Sequence, residues 1–249
     1  MQSSARTIEI VGVAGSGKST LTRALCAQYA GCRVADSLHT RLPAHWPYVA
    51  RGLPRALPFV AKGLLDRPAW SWDEIKFAIY VSVWDRYLRD RPEHRSGVTV
   101  LDQGPIFALA RLLWGKKPIT TRRSFEIWLR RMVERWSVEL DAIVWLVAPD
   151  EALLARIHER EQRHEAKGKP APEGLELIEL HREAYGRLLE LVGELGRPRV
   201  LRFDTSTMGP AQIAGELADL FEEPSGQQLT EGAHGLNVRQ QPASVQEEI

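Results

Sequence analysis

The sequence predicts a three-layer α/β fold, a parallel five-stranded sheet flanked by helices with a helical lid, and three observations lead there. Five short apolar segments are separated by stretches of helical periodicity: Thr7 to Val13, Arg33 to Asp36, Val98 to Asp102, Ala142 to Ala148 and Arg199 to Asp204. That alternation builds a parallel sheet with helices on both faces. Asp36 and Asp102 stand at the carboxyl ends of the second and third segments, the edge at which open α/β sheets bind ligands. A glycine-rich turn follows the first segment without a break.

That turn, Gly12-Val13-Ala14-Gly15-Ser16-Gly17-Lys18-Ser19, fits G-x-x-x-x-G-K-[ST] at every fixed position. The helix after it runs through Leu21, Leu25 and Tyr29. Glycines there let the backbone wrap a phosphate, with N–H groups pointing inward at a helix N-terminus. The expected nucleotide-binding residues are Gly12, Ala14, Gly15, Ser16, Gly17, Lys18, Ser19 and Thr20. Lys18 would reach the β- and γ-phosphates of a nucleoside triphosphate, and the Ser19 hydroxyl would take one Mg²⁺ position.

The stretch from Leu42 to Ala69 is rich in Pro, Gly and Arg and reads as irregular or short helices covering the substrate side. Ser71-Trp72-Asp73-Glu74 has capping-box spacing, so a buried helix should begin there and run toward Arg89. A helix from Thr121 to Leu140 sets Phe125, Trp128, Leu129, Met132, Val133 and Trp136 at spacings of three and four. Its other face carries Arg122, Arg123, Arg130, Arg131 and Arg135, which reads as a solvated face rather than an anion-binding surface. Glu151 to Lys167 reads as a charged helix ending at Gly168-Lys169-Pro170, a long helix continues from Glu173 to Leu195, and a last one spans Pro210 to Phe221. Beyond Glu222, large apolar residues thin out and a disordered tail, 223–249, is expected.

Composition narrows the class. A chain of 249 residues with a formal net charge of +1 suits one α/β domain and argues against coating nucleic acid or being drawn to membranes. An acidic substrate must then be met by placed arginines. Cys26 and Cys32, the only cysteines, match no zinc or C-x-x-C spacing, so a reduced, cytoplasmic setting is expected. Met1 to Thr7 is polar, without the apolar core of a signal peptide, and the longest apolar run, Ala142 to Pro149, is too short to span a bilayer.

Guanine-specific switches read their base with Asn-Lys-x-Asp, and the only Asn is Asn237, in the tail. Hydrolytic ATPases commonly follow the metal-binding Asp with a Glu that activates water, whereas Asp102 is followed by Gln103, a poor base. Phosphoryl transfer is favoured instead by Arg156, Arg160 and Arg163, which on one continuous helix would project from one side over the triphosphate. Pairing of these arginines with Glu159, Glu161 and Glu165 in a surface helix is the alternative.

Four places in the chain resemble the P-loop nucleoside and nucleotide kinases, the deoxynucleoside kinase and thymidylate kinase group. They are the phosphate loop, Asp85-Arg86-Tyr87 ahead of Gly97 to Gln103, the Arg156 to Arg163 series with Glu165 and the following Leu177-Ile178-Glu179-Leu180-His181 with Tyr185, and Asp204-Thr205-Ser206. The resemblance implies a kinase domain over 1–222, with a lid at about 151–172 and an acceptor-side region at about 40–95. It implies ATP as donor, clamped by Arg156, Arg160 and Arg163 with Thr205 beside the adenine, and Mg²⁺ held by Ser19 and Asp102. Lys18, Asp102 and Arg160 would be catalytic, and Asp36 would take the acceptor proton or else cap a helix. Arg86 and Gln103 would face the acceptor, a nucleoside or nucleoside monophosphate. Gln103 replaces the family's usual Arg, which turns the reading away from dTMP and leaves a modified nucleoside, a sugar or another alcohol open. Expected partners are ATP and the small-molecule acceptor, without nucleic acid or membrane, and a homodimer is left open. The competing classes are a regulatory ATPase that docks a protein through the arginine-rich helix and a catalytically quiet nucleotide-binding module.

Overall fold

The computed structural model describes residues 5–35, 46–50, 54, 72–90, 96–114, 123–161 and 164–222. Along the chain run β1 (Arg6–Val11), α1 (Lys18–Gln28), β2 (Cys32–Val34), α2 (Trp72–Arg89), β3 (Val98–Leu101), α3 (Pro105–Leu113) and α4 (Arg123–Glu139). Then follow β4 (Ala142–Val147), α5 (Asp150–Glu159), α6 (Ala171–Leu195), β5 (Arg199–Asp204) and α7 (Pro210–Glu222). Of the Leu42 to Ala69 stretch, residues 46–50 are described and are helical. Ser71 and the tail 223–249 lie outside the described residues.

The five strands are parallel in the order β2-β3-β1-β4-β5. β1 therefore lies between β3 and β4, and the chain leaves it at the point where the strand order reverses, where such sheets open a crevice. Successive side chains of β1 alternate between two cores. Ile8 and Ile10 pack with Leu21, Leu25, Ile213 and Leu217 of α1 and α7. Val11 faces the opposite layer of α2, α3, α4 and α6, with Trp84, Leu109, Trp136 and Leu188. A third cluster joins Val13 of the phosphate loop to Leu153, Leu154 and Ile157 of α5 and Ile178 of α6, so the lid side packs directly on the loop.

Three expectations are corrected. The charged helix ends at Glu159 rather than Lys167, because Arg160 turns to an extended backbone at its C-cap, and the chain passes through turns before α6. Cys26 and Cys32 form a disulfide instead of standing as free thiols, since the end of α1 and the start of β2 bring their Cα atoms to 4.8 Å. Arg135 of α4 leaves the solvated face to pair with the fully buried Asp85 of α2, whereas Arg130 stays exposed and pairs with Glu134 and Glu194 at the surface. No helix among the described residues is long and apolar enough to cross a membrane.

Candidate functional site

β1 ends at Val11 and the backbone turns sharply through Gly12 (φ 148°) and Gly15 (φ 84°), a region that only glycine enters cheaply. Space forbids a side chain as well: a Cβ on Gly12 would lie 2.5 Å from the Leu146 carbonyl oxygen, and one on Gly15 would lie 2.8 Å from that of Leu153. Gly17 caps α1 in the left-handed conformation, and Ser16 is fully buried beneath the turn. The Lys18 ammonium folds back over the loop, donating to the carbonyls of Gly12 (2.7 Å) and Val13 (3.0 Å). Burial lowers its pKa to about 8, with Arg160 pushing the same way and Asp102 opposing. A phosphate arriving there would meet a poorly solvated cation, the condition under which Coulomb attraction is strongest.

A cavity of about 690 Å³ opens beside the loop, lined by Lys18, Ser19, Thr20, Arg156, Arg160 and Thr205 among others. Arg156 spans it as a staple: Nη1 donates to Gly15 O (3.3 Å) and Thr205 Oγ1 (3.1 Å), and Nη2 to Thr205 O (3.1 Å). Thr205 is itself tied to β4 through Val147 O at 3.2 Å. Met208, Pro210 and Ile213 add an apolar part to its lining. Arg160 reaches the same cavity from beyond the helix end, so the two arginines converge without sharing one helical face.

Asp102 follows β3, half-buried and near enough for its charge to act on Lys18, and Gln103 is exposed with φ 57°. Ser19 and Asp102 together offer a hydroxyl and a carboxylate, the hard oxygen donors that suit Mg²⁺. Among the described residues no group of three or more His, Cys, Asp or Glu would hold a metal unaided. A Mg²⁺ ion held by these two groups would take its remaining ligands from water and phosphate oxygens.

Beyond Asp102 the chain builds an aromatic wall that single-residue sequence patterns did not flag. Phe77 of α2, Phe107 of α3 and Trp114 meet edge to face, with centroids 6.2 and 5.9 Å apart. The Arg111 guanidinium lies over Trp114 (4.7 Å) and Phe77 (5.7 Å) and pairs with Glu165 of the lid at 3.4 Å. Trp114 stacks on His181 at 3.7 Å, and burial holds that imidazole neutral, its pKa lowered to about 3. The hydroxyls of Tyr80 and Tyr185 are kept protonated, first by burial and then by the Glu9 carboxyl between β1 and α3.

Arg86 does not join this wall. It sits exposed in the last turn of α2, next in the chain to Asp85, which pairs with Arg89 and Arg135. The cation that the structure does bring to the aromatic wall is Arg111. Asp36 and Arg163 lie outside the described residues. Glu9 carried a signal that could have been read: a carboxylate amid the apolar residues of a central strand must have a purpose.

A family model described as an AAA domain matches residues 8–176. No curated protein matches the sequence. Among solved structures, thymidylate kinase from Candida albicans superposes with a TM-score of 0.53 at 13% identity, over 88% of this chain and 92% of that one. Deoxyadenosine kinase from M. mycoides with bound dATP gives a TM-score of 0.49 at 14% identity, over 86% and 98%.

Proposed function

The chain belongs to the AAA domain family, and from that premise we propose that it transfers the γ-phosphoryl group of ATP, with Mg²⁺, to a small-molecule acceptor, a nucleoside or nucleoside monophosphate. One observation carries the reading. Lys18, which lines the cavity edged by Arg156 and Arg160, also acts electrostatically on His181, the ring stacked on Trp114 in the aromatic wall that bears Arg111. A hydrolase needs only the cavity. The wall suits a ring stacked on Phe77, Phe107 or Trp114 and an anion or hydroxyl met by Arg111.

In this reading ATP seats its base between Arg156 and the Met208 to Ile213 wall and its phosphates on the loop. Lys18 and Arg160 oppose the charge that spreads over the transferred group, work that is chiefly positioning and electrostatics. Mg²⁺, when bound, supplies further neutralisation, with Ser19 and Asp102 as its protein-side donors. The acceptor hydroxyl oxygen forms the new bond to phosphorus, the bond to ADP breaks, and the hydroxyl proton passes to a carboxylate. Asp36, two residues beyond β2, is the candidate for that base. The regulatory-ATPase reading is less well supported, since Arg130 and Arg135 of its docking face are occupied by Glu134, Glu194 and Asp85.

ADP formation measured across nucleosides, nucleoside monophosphates, sugars and amino-sugar alcohols tests the proposal. Acceptor-dependent ADP with a ring-bearing acceptor is expected. ADP release that no acceptor stimulates would overturn it.

A further inference from the structure

Helix α3 lacks the means to cap itself. Its N-cap is Gly104, without a side chain, and Pro105 at its first position has no N–H. The first two donors the helix has to offer, Ile106 N and Phe107 N, both go to one carboxyl group far away in sequence: Glu9 Oε2 at 2.9 Å and Oε1 at 2.8 Å. A carboxyl group placed at this helix N-terminus can answer both of the amides that the helix leaves over. Glu9 is fully buried in β1, whose register sets it beside Leu101, the last residue of β3. Between Leu101 and the N-cap Gly104 lie only Asp102 and Gln103. Gln103 is the one described non-glycine residue with positive φ, and Gly104 packs so closely that a Cβ there would stand 2.4 Å from Glu9 Cδ. The Asp102 turn is thus clamped at one end by the strand ladder and at the other by Glu9, on the strand that leads into the phosphate loop.

We propose that Glu9 is a positioning residue: by capping α3 from β1 it holds the Asp102 carboxylate in register with Lys18 and Ser19. It touches neither nucleotide nor acceptor and acts through the turn. The inference rests on the nucleotide-binding reading above, and its test separates the two. Burial pushes the Glu9 carboxyl up to about 8, with the amides of Phe107 and Ile106 pulling it down and Asp102 adding to the rise, as befits an acid retained at a cost.

The experiment uses the full chain and ATP alone. Affinity for ATP is measured with and without Mg²⁺, together with amide exchange at Ile106 and Phe107, for wild type, Glu9→Ala, Gly104→Ser and the double variant. Glu9→Ala is expected to lose about tenfold of the Mg²⁺-dependent affinity gain, a fold-change set by one misplaced charged ligand, while Mg²⁺-free affinity holds and both amides exchange faster. Gly104→Ser alone collides with Glu9. In the Glu9→Ala background the space is free, and a serine N-cap can satisfy the same amides locally. Recovery of both slow exchange and the Mg²⁺ response in the double variant supports positioning through the cap. An unchanged Mg²⁺ response in Glu9→Ala overturns it, as does recovery of slow exchange without recovery of the Mg²⁺ response. Wild type that fails to bind ATP at all refutes the nucleotide reading instead.

Discussion

Two acids are buried completely on the same side of this sheet, and they are treated in opposite ways. Asp85, in the later part of α2, is met by two arginines: Arg135 Nε at 3.0 Å from across the core and Arg89 one turn on, itself held by Glu139 at 3.2 Å. Glu9, at the edge beside the phosphate loop, is met by two backbone amides and by no ion pair among the described residues. A buried charge with full counter-charge is a structural fixture whose removal strands its partners. A buried acid answered only by dipoles keeps its proton until the surroundings change, and it stands next to Asp102. The contrast teaches where the molecule tolerates unspent electrostatics: at the ligand edge, and not at the far one.

The largest effect should fall at the ligand edge. Lys18→Ala is expected to lower turnover by about 10³-fold with little change in thermal midpoint, because the transferred phosphoryl loses its buried cation; steady-state ADP formation beside a melting curve checks this. Asp85→Ala should do the reverse. Stranding Arg135 costs about 3–5 kcal/mol of stability, read by urea unfolding, while activity per folded molecule is kept. Were Asp85→Ala to abolish activity in fully folded protein, the division between the two edges would be wrong.

Smaller effects sharpen the division. Arg111→Ala should raise the acceptor KM by about 10- to 100-fold, the worth of one charged hydrogen bond, and leave ATP affinity alone; equal loss of both would move Arg111 to the nucleotide side. The smallest signal is in pH. Since burial raises the Glu9 pKa to about 8 in the fold, the native state keeps a proton that the unfolded chain releases near the ordinary value of 4.5. Stability is then full below that ordinary value and falls as pH rises through 5 to 8, by up to about 1.4 kcal/mol per unit. Glu9→Gln should flatten this slope in denaturant titrations at pH 5 and 8, and an unaltered slope would assign it to other groups.

Much of this was legible in the chain and some was not, for physical reasons. The phosphate loop could be read outright because its glycines answer to backbone geometry, which spacing records: Gly12 and Gly15 stand where no Cβ fits. The strands were found within two residues of their ends, most readily β3 and β4, whose buried residues form nearly unbroken apolar runs. Arg160 was placed on a helix because helical spacing persists past a C-cap that has no glycine to announce it. The aromatic wall draws Phe77, Phe107, Trp114 and His181 from three helical elements and a turn, a convergence that exists only once the sheet has folded.

The Arg156 staple carries one more consequence. A single guanidinium grips the phosphate loop through Gly15 and the β5 loop through Thr205, so the two lips of the nucleotide cleft cannot part independently. On the proposed function, a base entering the cavity would have to trade against those bonds, so one guanidinium would set how far the two lips can part.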